Sequence, residues 1–450
     1  MTSPSNHFPI IAPFQGTRYN TAKVNVSEVM APPYDVISVS GQEALYQKSP
    51  YNFIRLELGQ QFPTDTDRDN RYTRAAIQLK EWKKNEILIQ DRSPSFYLYE
   101  QTFTLEDGTS FSRRGFFALR RIEELGRHIL PHEKTLSGPK ADRLALFQAC
   151  ATHLSPIFAV YSDTEGQLAR VMKPHFEEKA EVDFIDETNI RQRLWRCVDR
   201  ELFQKADEIL REKKLLIADG HHRYETSIAY EQWLLSQGIT LSEDSDGRYV
   251  MMYFGDMNDP GLVVLPTHRR LHHWAQFDPA SLMSRLNSLA PLQVFSKDHR
   301  GDFLKAFQQK REGVYHLSLL LQGTSDFLLW TVSRDVLSKI TALRGTTPEM
   351  WEMDTVLLHK VIFEELLGMS ETEQKDPRYM DFIKSTEEAT ASRNLEGTNA
   401  VFLMNVPSLK ALEGVISQGQ VLPPKSTFFY PKLLSGLVVH EIDPAKRVTI

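Results

Sequence analysis

Lys213-Lys214-Leu215-Leu216-Ile217-Ala218-Asp219-Gly220-His221-His222-Arg223-Tyr224-Glu225-Thr226 opens the stretch, closing at Gly238, on which the reading of this 450-residue chain turns. Leu215 to Ala218 is a short, continuous apolar run, too short for a helix face and bounded by Asp219-Gly220. Such a run predicts a buried strand meeting a turn. From Tyr224 to Leu235 apolar residues recur at helical spacing, and Gly238 is a C-terminal stop. His221, His222 and Arg223 therefore fall where a strand hands over to a helix. The unpaired N–H groups and the positive end of the dipole there favour an anion. Gly220 permits close backbone approach, and Asp219 is placed for chemistry or for a cation such as Mg2+. The bland alternative is that the histidines are surface or capping residues and that Arg223 pairs with Glu225 or Glu231.

Ala218-Asp219-Gly220-His221-His222-Arg223-Tyr224-Glu225-Thr226 resembles the signature of the domain of unknown function 1015 family, and that resemblance covers nearly the whole chain. The same run resembles the Gly-x-x-Arg phosphate motif of the ParB/sulfiredoxin superfamily, closest to the Asp-Gly-His-His-Arg form of free-serine kinases. The resemblance implies a ParB/sulfiredoxin-like core at about 155–275 within a mixed α+β chain. That core would lie in a catalytic and nucleotide-binding region, 1–275, with a C-terminal α+β domain, 276–450, closing over the site. It also implies ATP or ADP as cofactor. Sulfiredoxin-type chemistry needs a cysteine where this chain has His221, so sulfinate reduction is not supported.

Outward from that stretch, Ala31-Pro32-Pro33-Tyr34-Asp35-Val36-Ile37-Ser38 presents Tyr34 and Asp35 from a loop stiffened by two prolines. Asn52 to Gly59 alternates as a half-buried strand with Arg55 and Glu57 on one face. Asp69 to Lys84 reads as an amphipathic helix, and Phe96 to Arg120 as a hairpin turning at Asp107-Gly108. A second dense block runs Gly126-Arg127-His128-Ile129-Leu130-Pro131-His132-Glu133-Lys134-Thr135, continuing to Lys140, Asp142 and Arg143. His132 and Glu133 are acid/base candidates, Lys140 and Arg143 phosphate ligands, and Asp142 caps a helix over 143–152. Pro174 should stop or kink the helix begun at Glu165. Tyr249–Phe254 and Leu262–Leu265 read as a strand pair around Asn258-Asp259-Pro260-Gly261. Near the end, Pro423 to Lys432 resembles the family's C-terminal signature, with Lys425 and Lys432 around an aromatic run placed to close over a nucleotide or acidic substrate.

Composition sets the outer bounds. Hydrophobic residues at 41% and charged residues at 25% are ordinary for a soluble globular protein. A net charge of −6 leaves no bulk electrostatic footprint for nucleic acid. Two cysteines exclude a disulfide framework and a cysteine zinc site. No apolar run approaches a membrane span, and the start lacks a signal-peptide pattern, so the cytoplasm is expected.

The expected function is a nucleotide-dependent phosphotransferase, kinase-like or phosphatase-like, on a small hydroxyl metabolite such as serine or phosphoserine. The alternative is a nucleotide-binding switch without turnover. Asp219 is the expected metal ligand, Glu133 the leading base and Asp35 the reserve. Sequence alone expects Arg223→Ala to weaken phosphate binding while leaving the fold intact.

Overall fold

The computed structural model describes residues 8–132, 137–309, 311–417, 419–420, 422–423 and 425–450. The chain is a mixed α+β protein that divides into two units. The first comprises the described residues of 1–131, 135–263 and 431–450, and the second those of 132–134 and 264–430.

Among its described residues the first unit is built on a nine-stranded sheet. Its order is Ile129–Leu130, Leu215–Asp219, Ile157–Tyr161, Tyr249–Asp256, Ser110–Arg121, Phe96–Thr104, Arg191–Cys197 and Val182–Ile185, with Ile11–Ala12 added on Ser110–Arg121. The central hairpin turns at Gly108, whose φ of 85° suits glycine. Phe96, Tyr97, Leu98 and Tyr99 are all buried, so both faces of that strand are covered and its aromatics fill the sheet. One core gathers Phe96, Phe116, Ala159, Ile217 and Phe254 from successive strands with Phe203 and Tyr224 from the covering helices. The strand before the Asp-Gly turn is thus a deeply buried internal strand, which fixes the turn at its end.

Three local expectations are corrected. Residues 52–59 are not a strand: Ile54–Glu57 is a short helix. Asn52 starts it, accepting from the Ile54 N–H at 3.0 Å and donating to the Glu28 and Met30 carbonyls at 2.7 and 3.0 Å. These local bonds outcompete the weak two-residue alternation. Pro174 does not stop its helix, which runs Gln167–Glu177. Leu168, Met172 and Phe176, each four residues apart, are buried on one face. At about 1.5–3 kcal/mol each, their burial exceeds the roughly 3 kcal/mol cost of an interior proline. Finally, Tyr249–Asp256 pairs with Ser110–Arg121 and Ile157–Tyr161, not with the segment that follows it. The connecting turn folds onto the hairpin instead, with Asp259 accepting from the Arg114 N–H at 2.9 Å.

The chain's last segment returns to the first unit. Thr17 and Val439 exchange backbone hydrogen bonds of 2.9 and 3.0 Å, and Ile442 N–H donates to Ala151 at 2.8 Å. Inside, His153 Nδ1 lies 3.0 Å from His440 Nδ1, and His440 Nε2 lies 2.9 Å from Asp246. All three side chains are buried.

Among its described residues the second unit carries a six-stranded sheet in the order Leu292–Phe295, Phe327–Ser333, Val314–Leu321, Thr398–Phe402, His268–His272 and Met380–Ile383. Its core includes Phe303, Phe307, Leu320, Phe327 and Val401.

Buried histidines make stability depend on pH. Burial, then His440, pushes His153 well below the ordinary range. Burial, then Arg269, pushes His268 down to about 4 and His359 to about 3. Each binds its proton more weakly folded than unfolded. The stabilisation is therefore complete above the unfolded value near 6.5 and falls as pH drops below it toward the folded value. Urea unfolding at pH 5.5 should show about 1 kcal/mol less stability per histidine than at pH 7.5. Equal midpoints at the two pH values would contradict the burial of these rings.

Candidate functional site

Strand Leu215–Asp219 hands over at Gly220 to helix His221–Ser236. Gly220 adopts φ 92° and, as the residue before the helix, has no side chain with which to cap it. A Cβ on Gly220 would lie 2.9 Å from Arg223 Nε and 3.0 Å from its Cζ. The residue is thus demanded twice, by its left-handed backbone and by the guanidinium packed over it. Gly220→Ala should cost about 2–3 kcal/mol in urea unfolding, from the 1–2 kcal/mol of left-handed strain plus displacement of Arg223. An unchanged midpoint would show that the turn relaxes freely.

Arg223 points inward. It is 6% exposed, its Nη2 pairs with Asp219 Oδ2 at 2.5 Å, and its Nη1 donates to the Pro156 carbonyl. The pairing with Glu225 or Glu231 does not form; Lys140 holds Glu225 at 2.6 Å and Arg248 holds Glu231 at 2.7 Å. Burial works against the Arg223 charge, but Asp219 and then Asp35, Tyr34 and Glu57 outweigh it. The guanidinium therefore holds its proton more tightly than usual. Asp219 is bound from its other side as well: Lys432 Nζ meets Oδ1 at 2.5 Å. The backbone around Lys432 is held in turn, with the Pro431 carbonyl accepting from Arg113 at 2.7 Å and the Lys432 carbonyl from Gln101 at 3.1 Å.

A second layer of charge backs this turn. Arg143 is buried, pairs with Asp142 at 2.5 Å, donates to the Glu57 carbonyl at 2.8 Å and stacks on Tyr34 at 4.1 Å. Asp142 does not cap a helix, as the sequence suggested. The helix runs Ser137–Cys150, and Asp142 inside it accepts from Tyr72 at 2.6 Å and pairs with Arg71. Burial pushes the Tyr34 phenol up to about 12 against the pull of Arg223 and Arg143. Asp35 follows Tyr34 on a single tight turn, Tyr34–Val36, and is exposed.

Tyr34, Asp35, Lys140, Arg143, Asp219, Gly220, His221, His222, Arg223 and Lys432 thus all belong to the first unit. His221 and His222 are half-buried on the helix's first turn. His132 and Lys425 belong to the second unit. There His132 Nε2 lies 2.7 Å from Thr427 Oγ1, and the Lys425 carbonyl accepts from Arg269 at 3.0 Å. Glu133 lies outside the described residues. Glu57 was assigned to a strand face and its role missed. It is 2% exposed, accepts from Ser155 at 2.9 Å and lies 3.6 Å from Arg143. The signal that could have found it was a lone carboxylate in the apolar run Phe53 to Leu58.

The donor set fits a phosphate group. Gly220 carries no Cβ, and the first turn of a long helix with two imidazoles on it follows, the kind of group that favours an anion. It does not fit a protein-bound Mg2+ as well. Both Asp219 oxygens are already held by cations, and among the described residues no group of three His, Cys, Asp or Glu converges to hold a metal. Among the described residues no helix is long and apolar enough to cross a membrane.

Solved structures similar to this chain include a conserved hypothetical protein from Pyrococcus furiosus, 12% identical over 71% of this chain and 95% of that chain, with a TM-score of 0.32. A free serine kinase in complex with AMP is 12% identical over 71% of this chain and 92% of that chain, with a TM-score of 0.34. SbnI with C-terminal truncation from Staphylococcus aureus is 10% identical over 71% and 85%, with a TM-score of 0.36. Among curated proteins none matches. The model of the family described as "Protein of unknown function (DUF1015)" matches residues 11–354, and the chain belongs to that family.

Proposed function

We propose that this chain is a nucleotide-dependent phosphotransferase acting on a small hydroxyl metabolite, in the kinase direction or its reverse. Serine and phosphoserine are the first pair to test. The observation that carries the reading is the Gly220 turn: a strand handing over to a helix N-terminus with His221 and His222 on its first turn, braced from beneath by the Arg223–Asp219–Lys432 ion pairs. The core about 155–275 is read as ParB/sulfiredoxin-like in the same proposal, supported by the run Ala218 to Thr226.

In this reading the nucleotide supplies an activated phosphoryl group. The first N–H groups of helix His221–Ser236, His221 and His222 hold phosphate oxygens, and Arg223 positions the turn from below rather than touching the ligand. Phosphoryl transfer is mostly positioning and charge stabilisation, which such fixed donors provide. Asp35 takes the proton of the acceptor hydroxyl as its oxygen bonds to the terminal phosphorus and the bond to the leaving nucleotide, ADP from ATP or AMP from ADP, breaks. Asp35 is preferred to Asp219 because it is exposed, whereas Asp219 is held between two cations. That commitment of Asp219 equally favours a second reading, a nucleotide-binding switch without turnover.

The purified chain, incubated with ATP, ADP or CTP, magnesium and a panel of hydroxy-amino acids, separates these by phosphorus NMR. A phosphomonoester product is expected. Saturable nucleotide binding without product would support the switch, and neither binding nor product would remove the phosphate site.

A further inference from the structure

In the first unit Arg55, on the short helix Ile54–Glu57, lines a pocket of about 320 Å3 together with residues of helix Arg71–Lys84. Its guanidinium is steadied by backbone. Nη2 donates to the Tyr46 carbonyl at 2.8 Å, and Nε faces the Ser49 carbonyl at 3.5 Å. The same group stacks on the Tyr46 ring, 4.3 Å from its centroid. Among the described residues no carboxylate pairs with Arg55 and nothing accepts from Nη1. The side chain is only half-buried, and Nη1 is not an enclosed atom, so this donor stays open. Tyr46 adds a second. Its hydroxyl accepts from the Gln60 N–H at 3.0 Å, and its own proton has no acceptor among the described residues. A guanidinium and a phenol held this way are donors set in advance for an anion.

The other charges of the pocket limit what that anion can be. Arg71 is taken by Asp142, and Arg74 pairs with Asp65 and Asp69, each at 2.8 Å. One uncommitted guanidinium remains, and the exposed Glu81 lines the same pocket without an ion pair among the described residues. A single free guanidinium suits one carboxylate, whereas a phosphate dianion would meet committed cations and the repulsion of Glu81. The rest of the wall is apolar. Phe62 and Ile77 line the pocket while 47% and 57% exposed, large hydrophobic side chains left open to water. The volume falls at the lower end of small-molecule sites, roughly 300–1,000 Å3, enough for a phenyl ring on a short chain.

We propose that this pocket binds a small carboxylate on an apolar body, its oxygens taking the open donors of Arg55 and Tyr46 and its body covering Phe62 and Ile77. An apolar α-amino acid and its deaminated acid share this chemistry. Glu81 separates them, because it attracts the ammonium that only the first carries. The site uses no residue of the Gly220 turn and does not rest on the phosphotransferase reading.

The test is calorimetric titration of the full chain with L-phenylalanine, 3-phenylpropionate and, as the control without a carboxylate, phenethylamine. At least one of the two carboxylates should bind saturably, and phenethylamine at least tenfold more weakly. Tighter binding of L-phenylalanine assigns the pocket to the amino acid, and tighter binding of 3-phenylpropionate assigns it to the plain acid. Arg55→Gln should weaken the preferred ligand at least tenfold. Phe62→Ser, at an exposed position, should weaken it at least threefold and decides the matter if Arg55→Gln does not fold. No binding of either carboxylate at millimolar concentration would mean that the pocket holds water only and would overturn the proposal. Equal binding of phenethylamine, or unchanged affinity in either folded variant, would overturn it too.

Discussion

Arg223→Ala is expected to lower the unfolding free energy by about 3–5 kcal/mol, the usual cost of removing one partner of a buried ion pair. Sequence alone placed this guanidinium on the ligand and expected the fold to survive its loss. Burial reverses that expectation. The side chain is 6% exposed, and its two nitrogens are committed to Asp219 and to the Pro156 carbonyl. Truncation leaves a buried carbonyl without this donor, takes one of two cations from Asp219 and opens a void under Gly220. Arg223→Lys should recover only part of the loss, because an ammonium cannot reach the carboxylate and the carbonyl at once. Urea unfolding of the three proteins checks this. A loss under 1 kcal/mol for Arg223→Ala would show that the guanidinium is not a structural strut.

How much of this was legible depends on sequence distance. The strand, turn and helix at Leu215 to Ser236 were readable because Asp-Gly can end a buried strand in few ways, and the helix pattern follows at once. Asp219 and Arg223 are also four residues apart, a spacing whose ion pair could have been preferred over Glu225 or Glu231 once Arg223 was seen to be internal. Lys432 was singled out for its charge, but not as the partner of Asp219, 213 residues away. Nothing local encodes such a pairing. The same holds for Arg143 on the Glu57 carbonyl, 86 residues apart. The misreading of 52–59 has a different cause. There a single asparagine, bonded to two carbonyls of an earlier segment, sets the backbone, and the apolar pattern alone cannot show it. Histidines follow burial rather than motif: His359 is 5% exposed, and its hydrogen bond to Gln374, fifteen positions on, has no local signal.

Asp35→Asn is expected to cut turnover by about 10²–10⁴, the usual size of a general-base contribution, with nucleotide affinity little changed. The sequence favoured Glu133 for this role, because a carboxylate between His132 and Lys134 can be tuned by its neighbours. We propose Asp35 for it instead, from the geometry of its own turn. Pro33, at φ −57° and ψ 143°, leads into the tight turn Tyr34–Val36, and the Val36 N–H closes it onto the Pro33 carbonyl at 3.2 Å. The carboxylate is exposed, yet close enough to Arg223 to strengthen that group's hold on its proton. It therefore lies near the turn that the proposed phosphate site occupies. Substitution at an exposed position usually changes stability by within about 0.5 kcal/mol, so a large kinetic loss in Asp35→Asn would not reflect unfolding. Glu133→Gln, assayed beside it, decides the assignment. Full turnover in Glu133→Gln with loss in Asp35→Asn assigns the base to Asp35, and the opposite pattern returns the role to Glu133. Equal losses in both, with nucleotide affinity intact, would divide the work between a proton acceptor and a group that orients the hydroxyl. The pH profile then tells them apart, since only the variant lacking the base should lose the acidic limb of its rate curve.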